Sequence, residues 1–508
     1  MSNPASALNQ PQDVLIVGGG SAGATLAAAR LSEDPNRRVL LLEGGPAFAS
    51  DAVPGELGNP EQVPAPNFDW GYTARGGAST TEMAVPRGRV LGGSSAVNAA
   101  VAIRARRQDV ESWQIHGVEG WAWDEVLETF KVLENTDSGD DTYRGRTGPV
   151  SIRQRTYDEL TPGLRGFIDA SIADGYKHVD DFNGVDPEGV GGCPVNIVDG
   201  VRQSSAVAYL TAEVRRRPNL TIVGEVVVDK VLFDGTTATG VISSTRHVYA
   251  AREVILSAGT YGSAAILLRS GVGPARDLTQ LGVATIADLP VGQHLQDQPI
   301  FYNAYALSDN AIQMSPAVGS LLWFRSSLAK DGELDLHISA THLLDGSFSP
   351  TGGAIVLATS VVLPESSGTL RISSTDANVQ PLIDNNFLAT ERDRLRMLEG
   401  VKVSRRLARS PVFGPLQAGE LIPGEAVRDE ALPEVIAANL ATYGHPTSTV
   451  PMGGATDPDA VVDSAGAVRG LQSLRVVDAS IIPRVPSTVT NLTTIMVAEH
   501  IYRRAYSR

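Results

Sequence analysis

The first 45 residues of the chain combine two short apolar runs with a glycine-rich turn. Val14–Val17 and Val39–Leu42 are uninterrupted apolar runs, which is typical of strands that are buried on both faces in a parallel sheet. Between them lie the glycine-rich segment Gly18–Gly23 and the segment Ala24–Leu31, which has the pattern of a helix. This order predicts a strand–turn–helix–strand unit and therefore an α/β fold.

The glycines of this turn are spaced as a dinucleotide-binding site requires. Gly18 permits the tight turn, Gly20 leaves room for a pyrophosphate against the backbone, and Gly23 allows the helix to pack closely on the strand. The helix N-terminus offers unpaired N–H groups to phosphates. Glu43 ends the second strand 20 residues after Gly23, where an acid accepts hydrogen bonds from ribose hydroxyls. This acid disfavours NADP, but the unit alone does not distinguish NAD from FAD.

The second half of the chain has a different pattern. Apolar and polar residues alternate in Leu334–Ser339, Ala354–Ala358 and Gly368–Ser373. Such alternation predicts an antiparallel sheet with one exposed face. Thr390–Ala408 has the pattern of an amphipathic helix.

Composition and charge exclude several classes of protein. The 508 residues suggest two to three structural units, and 42% hydrophobic with 19% charged residues is ordinary for a soluble globular protein. A net charge of −15 opposes binding to nucleic acid or to anionic membranes. The single cysteine, Cys193, excludes an intramolecular disulfide and cysteine-rich zinc sites. Since Met1–Gln12 is polar and no apolar run spans a bilayer, we expect a cytoplasmic protein with no metal, nucleic-acid or membrane partner.

A second glycine-rich stretch, Gly88–Asn98, contains a Gly-Gly-Ser-Ser turn suited to close backbone contact with a ligand. Alone, it is equally typical of a surface loop. Together with the first unit it resembles the glucose–methanol–choline (GMC) oxidoreductase family, and most of all the bacterial members that act on small or aromatic alcohols, such as hydroxymethylfurfural oxidases. Three later segments carry the same resemblance: Ser257–Leu268, Val477–Pro483 and Asn491–Glu499.

The resemblance implies a Rossmann-like FAD-binding domain and a discontinuous substrate domain built on an antiparallel sheet. The FAD-binding domain would comprise 1–150, 200–300 and 440–508, and the substrate-binding domain 151–199 and 301–439. Some family members attach FAD covalently through a histidine. Val97 occupies that position here, so the resemblance implies a non-covalent flavin.

The family also assigns residues to the cofactor. The N-terminal amides of the last helix would stabilise negative charge on the flavin ring. Besides Gly18, Gly20, Gly23 and Glu43, the resemblance places at FAD the residues Ser21, Ala22, Arg89, Gly92, Ser94, Asn98, Ala99, Ala100, Val101, Val228, Ala258, Gly259, Asp478, Ala479, Leu492 and Thr493.

Oxidation of an alcohol removes a proton from oxygen and a hydride from carbon, and a flavin accepts the hydride at N5. The protein must supply a base, for which histidine is best suited near neutral pH. His445–Gly453 resembles the family motif His-x-x-Gly-Thr-x-x-Met-Gly, with Ser448 in place of the glycine. The resemblance therefore implies His445 as the general base. Asn491 matches the second active-site position, where an amide can hold the substrate oxygen but cannot act as a base.

These residues predict the conversion of a small-molecule alcohol to an aldehyde or ketone. The electron acceptor, oxygen or another molecule, and the identity of the alcohol stay open. His337 and His342 are either substrate contacts or core histidines. Related activities on the same fold are those of hydroxynitrile lyases and fatty-acid photodecarboxylases, and a flavoprotein without enzymatic activity is a further alternative.

Overall fold

The computed structural model describes residues 11–50, 52–63, 65–330 and 332–506. Its first sheet has a parallel part and an antiparallel extension, and it draws its strands from distant parts of the chain. The parallel strands are, in spatial order, Leu220–Val223, Val39–Leu42, Gln12–Val17, Val248–Leu256 and Leu474–Val476. The antiparallel strands are Thr237–Ser243 and Val228–Asp234.

The register of the parallel strands brings their carboxyl ends to one edge. Val17 is paired with Leu42 on one side and with Leu256 on the other, and Leu256 is paired with Val476. The residues that follow these strands therefore meet at this edge, where open α/β sheets bind ligands. The predicted α/β fold and its two N-terminal strands are confirmed.

The glycine turn leads into one continuous helical run. Ser21–Ala24 is α-helical, Thr25–Arg30 is π-helical and Leu31–Glu33 is a 3₁₀ turn. A Cβ atom on Gly23 would lie 1.8 Å from the carbonyl oxygen of Gly18, so the helix can pack on the strand only with glycine there. The polar stretch that precedes the first strand lies largely in residues 1–10, outside the described part of the chain.

The second sheet is antiparallel, as predicted, but not half-exposed. Leu336–Thr341 and Ala354–Val361 are buried along their whole length. Helices Pro162–Ala173 and Glu391–Ala408 pack against strands of this sheet. The prediction of an exposed face is therefore wrong. The strands of the sheet are, in spatial order, Gln417–Ile422, Pro299–Leu307, Ala354–Val361, Leu336–Thr341, Val318–Phe324 and Gly189–Gly192, with Ala441–Thr442 paired to Pro299–Leu307.

A third sheet contains the strand that was expected in Gly368–Ser373, so its assignment to the second sheet is also corrected. The short strands of this sheet follow one another as Thr369–Arg371, Leu382–Phe387, Thr73–Gly77 and Ser79–Ala84. Three further ladders pair Glu134–Asn135 with Val150–Ser151, Arg153–Gln154 with Pro194–Val195, and Ile197–Val198 with Val201–Arg202.

The helices lie around these sheets. Glu391–Ala408 confirms the predicted amphipathic helix, and Thr390 caps it by accepting a hydrogen bond from the N–H of Asp393 at 3.2 Å. The other α-helices of eight or more residues are Arg107–Gln114, Trp123–Leu133, Pro162–Ala173, Gly259–Arg269 and Asn491–Ala505. The shorter ones are Ser21–Ala24, Gly55–Gly58, Ser205–Tyr209, Ala212–Arg215, Ala275–Gln280 and Leu432–Ala438.

The parallel strands come from 12–42, 220–256 and 474–476, and the large antiparallel sheet from 189–192, 299–361, 417–422 and 441–442. The expected division into two discontinuous domains stays a prediction. Within the described ranges, no helix is both long and apolar enough to cross a membrane. The same residues contain no group of three or more histidine, cysteine or acidic side chains placed to hold a metal ion.

Candidate active site

A cavity of about 790 Å³ lies between the carboxyl edge of the parallel sheet and the large antiparallel sheet. Gly18 and Glu43 line it at the parallel sheet, and Ser339 lines it from the antiparallel sheet. Its volume is in the range of small-molecule and cofactor sites. The cavity is therefore the place where the predicted site residues can meet a ligand.

Most of the residues that the sequence assigned to the site lie on the wall of this cavity. They are Gly18, Gly20, Ser21, Ala22, Glu43, Arg89, Ser94, Asn98, Ala99, Val101, Val228, Ala258, Gly259, His445, Asp478, Ala479 and Asn491.

Five of the assigned residues lie behind the wall. Gly23 is pressed against the first strand, and Gly92 donates its N–H to a backbone carbonyl of the first glycine turn at 2.8 Å. Ala100 and Leu492 are core residues, and the Thr493 hydroxyl accepts a backbone N–H at 3.1 Å. These five residues shape the wall and do not line it.

Glycine residues bring bare backbone to the cavity. A Cβ atom on Gly93, whose φ is +52°, would lie 2.7 Å from the Cα atom of Gly20. A Cβ atom on Gly259, whose φ is +78°, would project into open space. Backbone that is approached this closely, beside a helix N-terminus, fits the diphosphate of a dinucleotide.

Two buried carboxyl groups hold the turns at this end of the cavity. Glu43 accepts the backbone N–H groups of Gly19 and Gly45, each at 2.8 Å. Burial raises the pKa of Glu43 to about 7. Asp478 accepts the N–H of Gly259 at 2.9 Å, and burial raises the pKa of Asp478 as well. Because a carboxylate has about four acceptor positions, Glu43 retains capacity for ribose hydroxyls.

The His445 imidazole is held in one orientation by the segment before strand Pro299–Leu307. The Asp297 carboxylate accepts the His445 backbone N–H at 2.8 Å, and Gln298 Oε1 lies 2.7 Å from His445 Nδ1. The Gln298 amide nitrogen donates to the carbonyls of Val362 and Pro486 at 3.0 and 2.8 Å. These two bonds fix the amide with its oxygen toward the ring, so Nδ1–H donates and Nε2 is left as the acceptor.

The surroundings keep this ring neutral. Burial, together with the positive charge of Arg87, lowers the pKa of His445 to about 3. Arg87 is anchored beside the ring by donating to the carbonyl oxygen of Gly444 at 2.8 Å. At neutral pH the imidazole therefore has an unprotonated nitrogen available to accept a proton.

Ser448, which replaces the glycine of the motif, keeps the local turn. Its φ is +72°, a conformation that favours glycine, and its hydroxyl donates to the carbonyl of Ile482 at 2.8 Å. Serine is therefore accommodated in the left-handed conformation of the loop that carries His445.

Asn491 begins the last helix, Asn491–Ala505. Its Oδ1 accepts a hydrogen bond from the Ser21 hydroxyl at 2.9 Å, which directs the amide nitrogen away from Ser21. That nitrogen forms no hydrogen bond with the part of the chain that the structure describes. It can therefore donate to a ligand in the cavity.

Neither His337 nor His342 lines the cavity. His337 donates from Nδ1 to the carbonyl of Leu322 at 3.0 Å and accepts the Tyr443 hydroxyl at Nε2 at 2.9 Å. His342 bridges Thr161 and a backbone carbonyl, each at 2.8 Å. Both are buried core histidines, and His337 is linked to the cavity wall through its hydrogen bond with Tyr443.

Sequence reasoning missed several side chains at the site. Arg87, Ser339, Thr341 and Tyr443 line the cavity, and Gln298 lies directly behind His445. Tyr443 precedes His445 by two residues, and Ser339 and Thr341 alternate with the apolar residues Ile338 and Ala340 on the buried strand that carries His337. These sequence positions could have indicated the residues, but only the fold shows which face of the strand meets the cavity.

Comparisons with known proteins show the family of the chain. Family models described as GMC oxidoreductase match residues 12–300 and 364–498. An oxygen-dependent choline dehydrogenase of Photobacterium profundum is 34% identical, over 97% of this chain and 92% of the relative. An alcohol dehydrogenase [acceptor] of Pseudomonas putida is 34% identical, over 96% and 94%. The crystal structure of pyridoxine 4-oxidase from Mesorbium loti is 32% identical and superposes with a TM-score of 0.89, covering 98% of this chain and 99% of that one.

Proposed function

The chain belongs to the GMC oxidoreductase family and is an FAD-dependent oxidoreductase of CH–OH donors, and on this premise we propose that His445 is its general base and that Asn491 holds the substrate oxygen. The product is an aldehyde or a ketone. The observation that carries the proposal is the orientation of the His445 imidazole on the cavity wall, where Gln298 binds Nδ1–H so that Nε2 can accept a proton.

The cavity wall has the groups that FAD requires. Gly20, Gly93 and Gly259 offer bare backbone to a diphosphate, and Glu43 has acceptor positions left for a ribose. With Val97 at the wall in place of a histidine, the cofactor is non-covalent at this position. When bound, FAD supplies the two-electron acceptor for the hydride of the alcohol.

The protein's own part in the reaction is proton transfer and positioning. The Asn491 amide nitrogen donates to the alcohol oxygen and places its hydroxyl proton toward His445 Nε2. As the proton leaves, the Nδ1–H bond to Gln298 Oε1 keeps the ring in place. The Arg87 guanidinium, which lines the cavity and is anchored to the carbonyl of Gly444, would stabilise negative charge that develops on the oxygen.

The geometry of the described residues does not favour the lyase or photochemical alternatives, and the pairing of a base with an oxygen-holding amide argues against a flavoprotein without activity. The acceptor is oxygen or another molecule, and the cytoplasmic location stays a prediction. The substrate is a small-molecule alcohol.

Anaerobic addition of alcohols to the purified yellow protein tests the function. We expect at least one member of a panel of primary, secondary and aromatic alcohols to bleach the visible flavin absorbance and to yield one equivalent of carbonyl product. Admission of air then separates an oxidase, whose colour returns, from a dehydrogenase that needs an artificial acceptor. A flavin that stays oxidised with the whole panel would exclude alcohol oxidation.

A further inference from the structure

Resting on the proposed function, we infer that the substrate is an uncharged alcohol with an apolar body and that the site discriminates against quaternary ammonium alcohols such as choline. The inference comes from the side chains on the antiparallel-sheet side of the cavity, which we call the substrate wall. The expected substrate class therefore differs from choline, the substrate in the name of the choline dehydrogenase relative.

The substrate wall is mostly aliphatic. Ile300, Val356 and Ala358 lie on neighbouring strands and present apolar side chains to the cavity. Leu343 and Ile422 also line it and are themselves 38% and 36% exposed, which gives the cavity an apolar rim. Apolar contact of this kind stabilises an alkyl or aryl body by removing its surface from water.

Polar groups on this wall are neutral. Ser339 and Thr341 contribute hydroxyl groups, and the Tyr443 hydroxyl is already bound to His337. These hydroxyl groups can receive a single polar substituent of the substrate but cannot balance a full positive charge.

Carboxylates are absent from the described residues of the substrate wall. Both carboxyl groups that line the cavity, Glu43 and Asp478, belong to the parallel-sheet side and hold backbone N–H groups there. Behind the substrate wall, Asp297 is hydrogen-bonded to the backbone of His445, and Glu420 forms a buried ion pair with Arg405 at 2.7 Å. A cationic substrate would find no carboxylate partner.

The charged side chain that lines the cavity beside His445 is positive. Arg87 lies on the cavity wall close enough to His445 to lower its pKa. A quaternary ammonium group would meet this like charge in a partly desolvated cavity, which is unfavourable.

Aromatic faces do not replace the missing carboxylate. Quaternary ammonium groups bind where several ring faces surround them. The Tyr443 ring is stacked with the His337 ring and lies against the His445 ring, with centroid distances of 5.7 and 4.4 Å. Its faces are therefore already in contact with neighbouring rings. Tyr302 is the other tyrosine of the substrate wall, and a single ring does not form an aromatic cage.

The sharpest test compares choline with its carbon isostere, in which a tert-butyl group replaces the trimethylammonium group. The two alcohols have the same shape and differ in charge. In anaerobic mixing with the holoenzyme, we expect the second-order rate constant of flavin reduction to be about 100-fold higher for the isostere. Equal rate constants, or a higher one for choline, would overturn the inference while leaving alcohol oxidation intact. Failure of both alcohols and of the wider panel would instead count against the proposed function.

Binding without turnover provides an independent readout. The O-methyl ethers of the two alcohols have no hydroxyl proton to give up, and calorimetry with the oxidised holoenzyme measures their affinity. We expect heat of binding from the tert-butyl ether only. Tighter binding of the ammonium ether would contradict the inference even if oxidation rates were limited by another step.

A variant pair tests the missing carboxylate directly. Ser339→Glu places an acid on the substrate wall, and Ser339→Gln is its neutral control of equal size. We expect Ser339→Glu to shift the choline-to-isostere ratio toward choline by about tenfold or more relative to Ser339→Gln. An unchanged ratio in a variant that retains its flavin would show that charge on this wall does not select the substrate.

Discussion

His445→Ala is expected to retain FAD and to lower the rate of flavin reduction by an alcohol about 100- to 10,000-fold, the contribution typical of a positioned general base. The variant removes Nε2, which the bond from Nδ1 to Gln298 leaves as the proton acceptor. Stopped-flow mixing without oxygen measures this rate, and the visible absorbance measures the bound flavin.

His337→Gln is the matched control for loss of a buried histidine near the site. His337 is hydrogen-bonded to Tyr443 but does not line the cavity, and a glutamine can supply both a donor and an acceptor there. We expect its reduction rate to stay within about tenfold of the wild type. An unchanged rate in His445→Ala, or an equal loss in both variants, would remove His445 from the proposed role.

Gly93→Ala is expected to yield protein that does not retain FAD, or that binds it at least about 100-fold more weakly. The added Cβ atom would lie 2.7 Å from the Gly20 Cα atom. Two backbone segments on the cavity wall must then move apart at this contact. Flavin absorbance per protein after purification, and titration of the apoprotein with FAD, measure the effect.

Gly235→Ala is the control that distinguishes the steric clash at Gly93 from the strain of a left-handed backbone conformation. Gly235 has a similar φ of +57°, but a Cβ atom there would meet nothing within 4 Å. We expect this control to lose about 1–2 kcal/mol of stability, as a non-glycine residue in the left-handed region does, and to keep its flavin. If Gly93→Ala also keeps a full complement of flavin, the glycine contact does not shape the cofactor site.

The sequence predicted the parts of the fold that depend on local pattern. The N-terminal strands and the helix Glu391–Ala408 were predictable because apolar runs and capping residues act over a few positions. The exposed face expected for strands such as Leu336–Thr341 was wrong, since helices cover the sheet on one side. Alternation along one strand carries no information about what packs on it.

In the candidate site, too, the sequence predicted the residues that belong to local motifs and missed those that only the tertiary fold brings together. His445 and Asn491 were assigned by motif, and both lie on the cavity wall. Gln298 was missed because it lies 147 positions before His445 in the chain and reaches it only through the tertiary fold. Arg87 was missed because it precedes the glycine-rich stretch Gly88–Asn98, to which Arg89 belongs. Only the structure shows which of the two arginines lies beside the imidazole.

The protonation state of the His445 ring tests the central claim most directly. NMR of isotope-labelled imidazole nitrogens, assigned by the signals that disappear in His445→Ala, distinguishes the three ring forms. We expect a neutral ring with the proton on Nδ1 at neutral pH and no titration down to about pH 5, because the neutral form persists above a pKa lowered to about 3. A proton on Nε2, or an imidazolium at neutral pH, would contradict the assignment of His445 as the base.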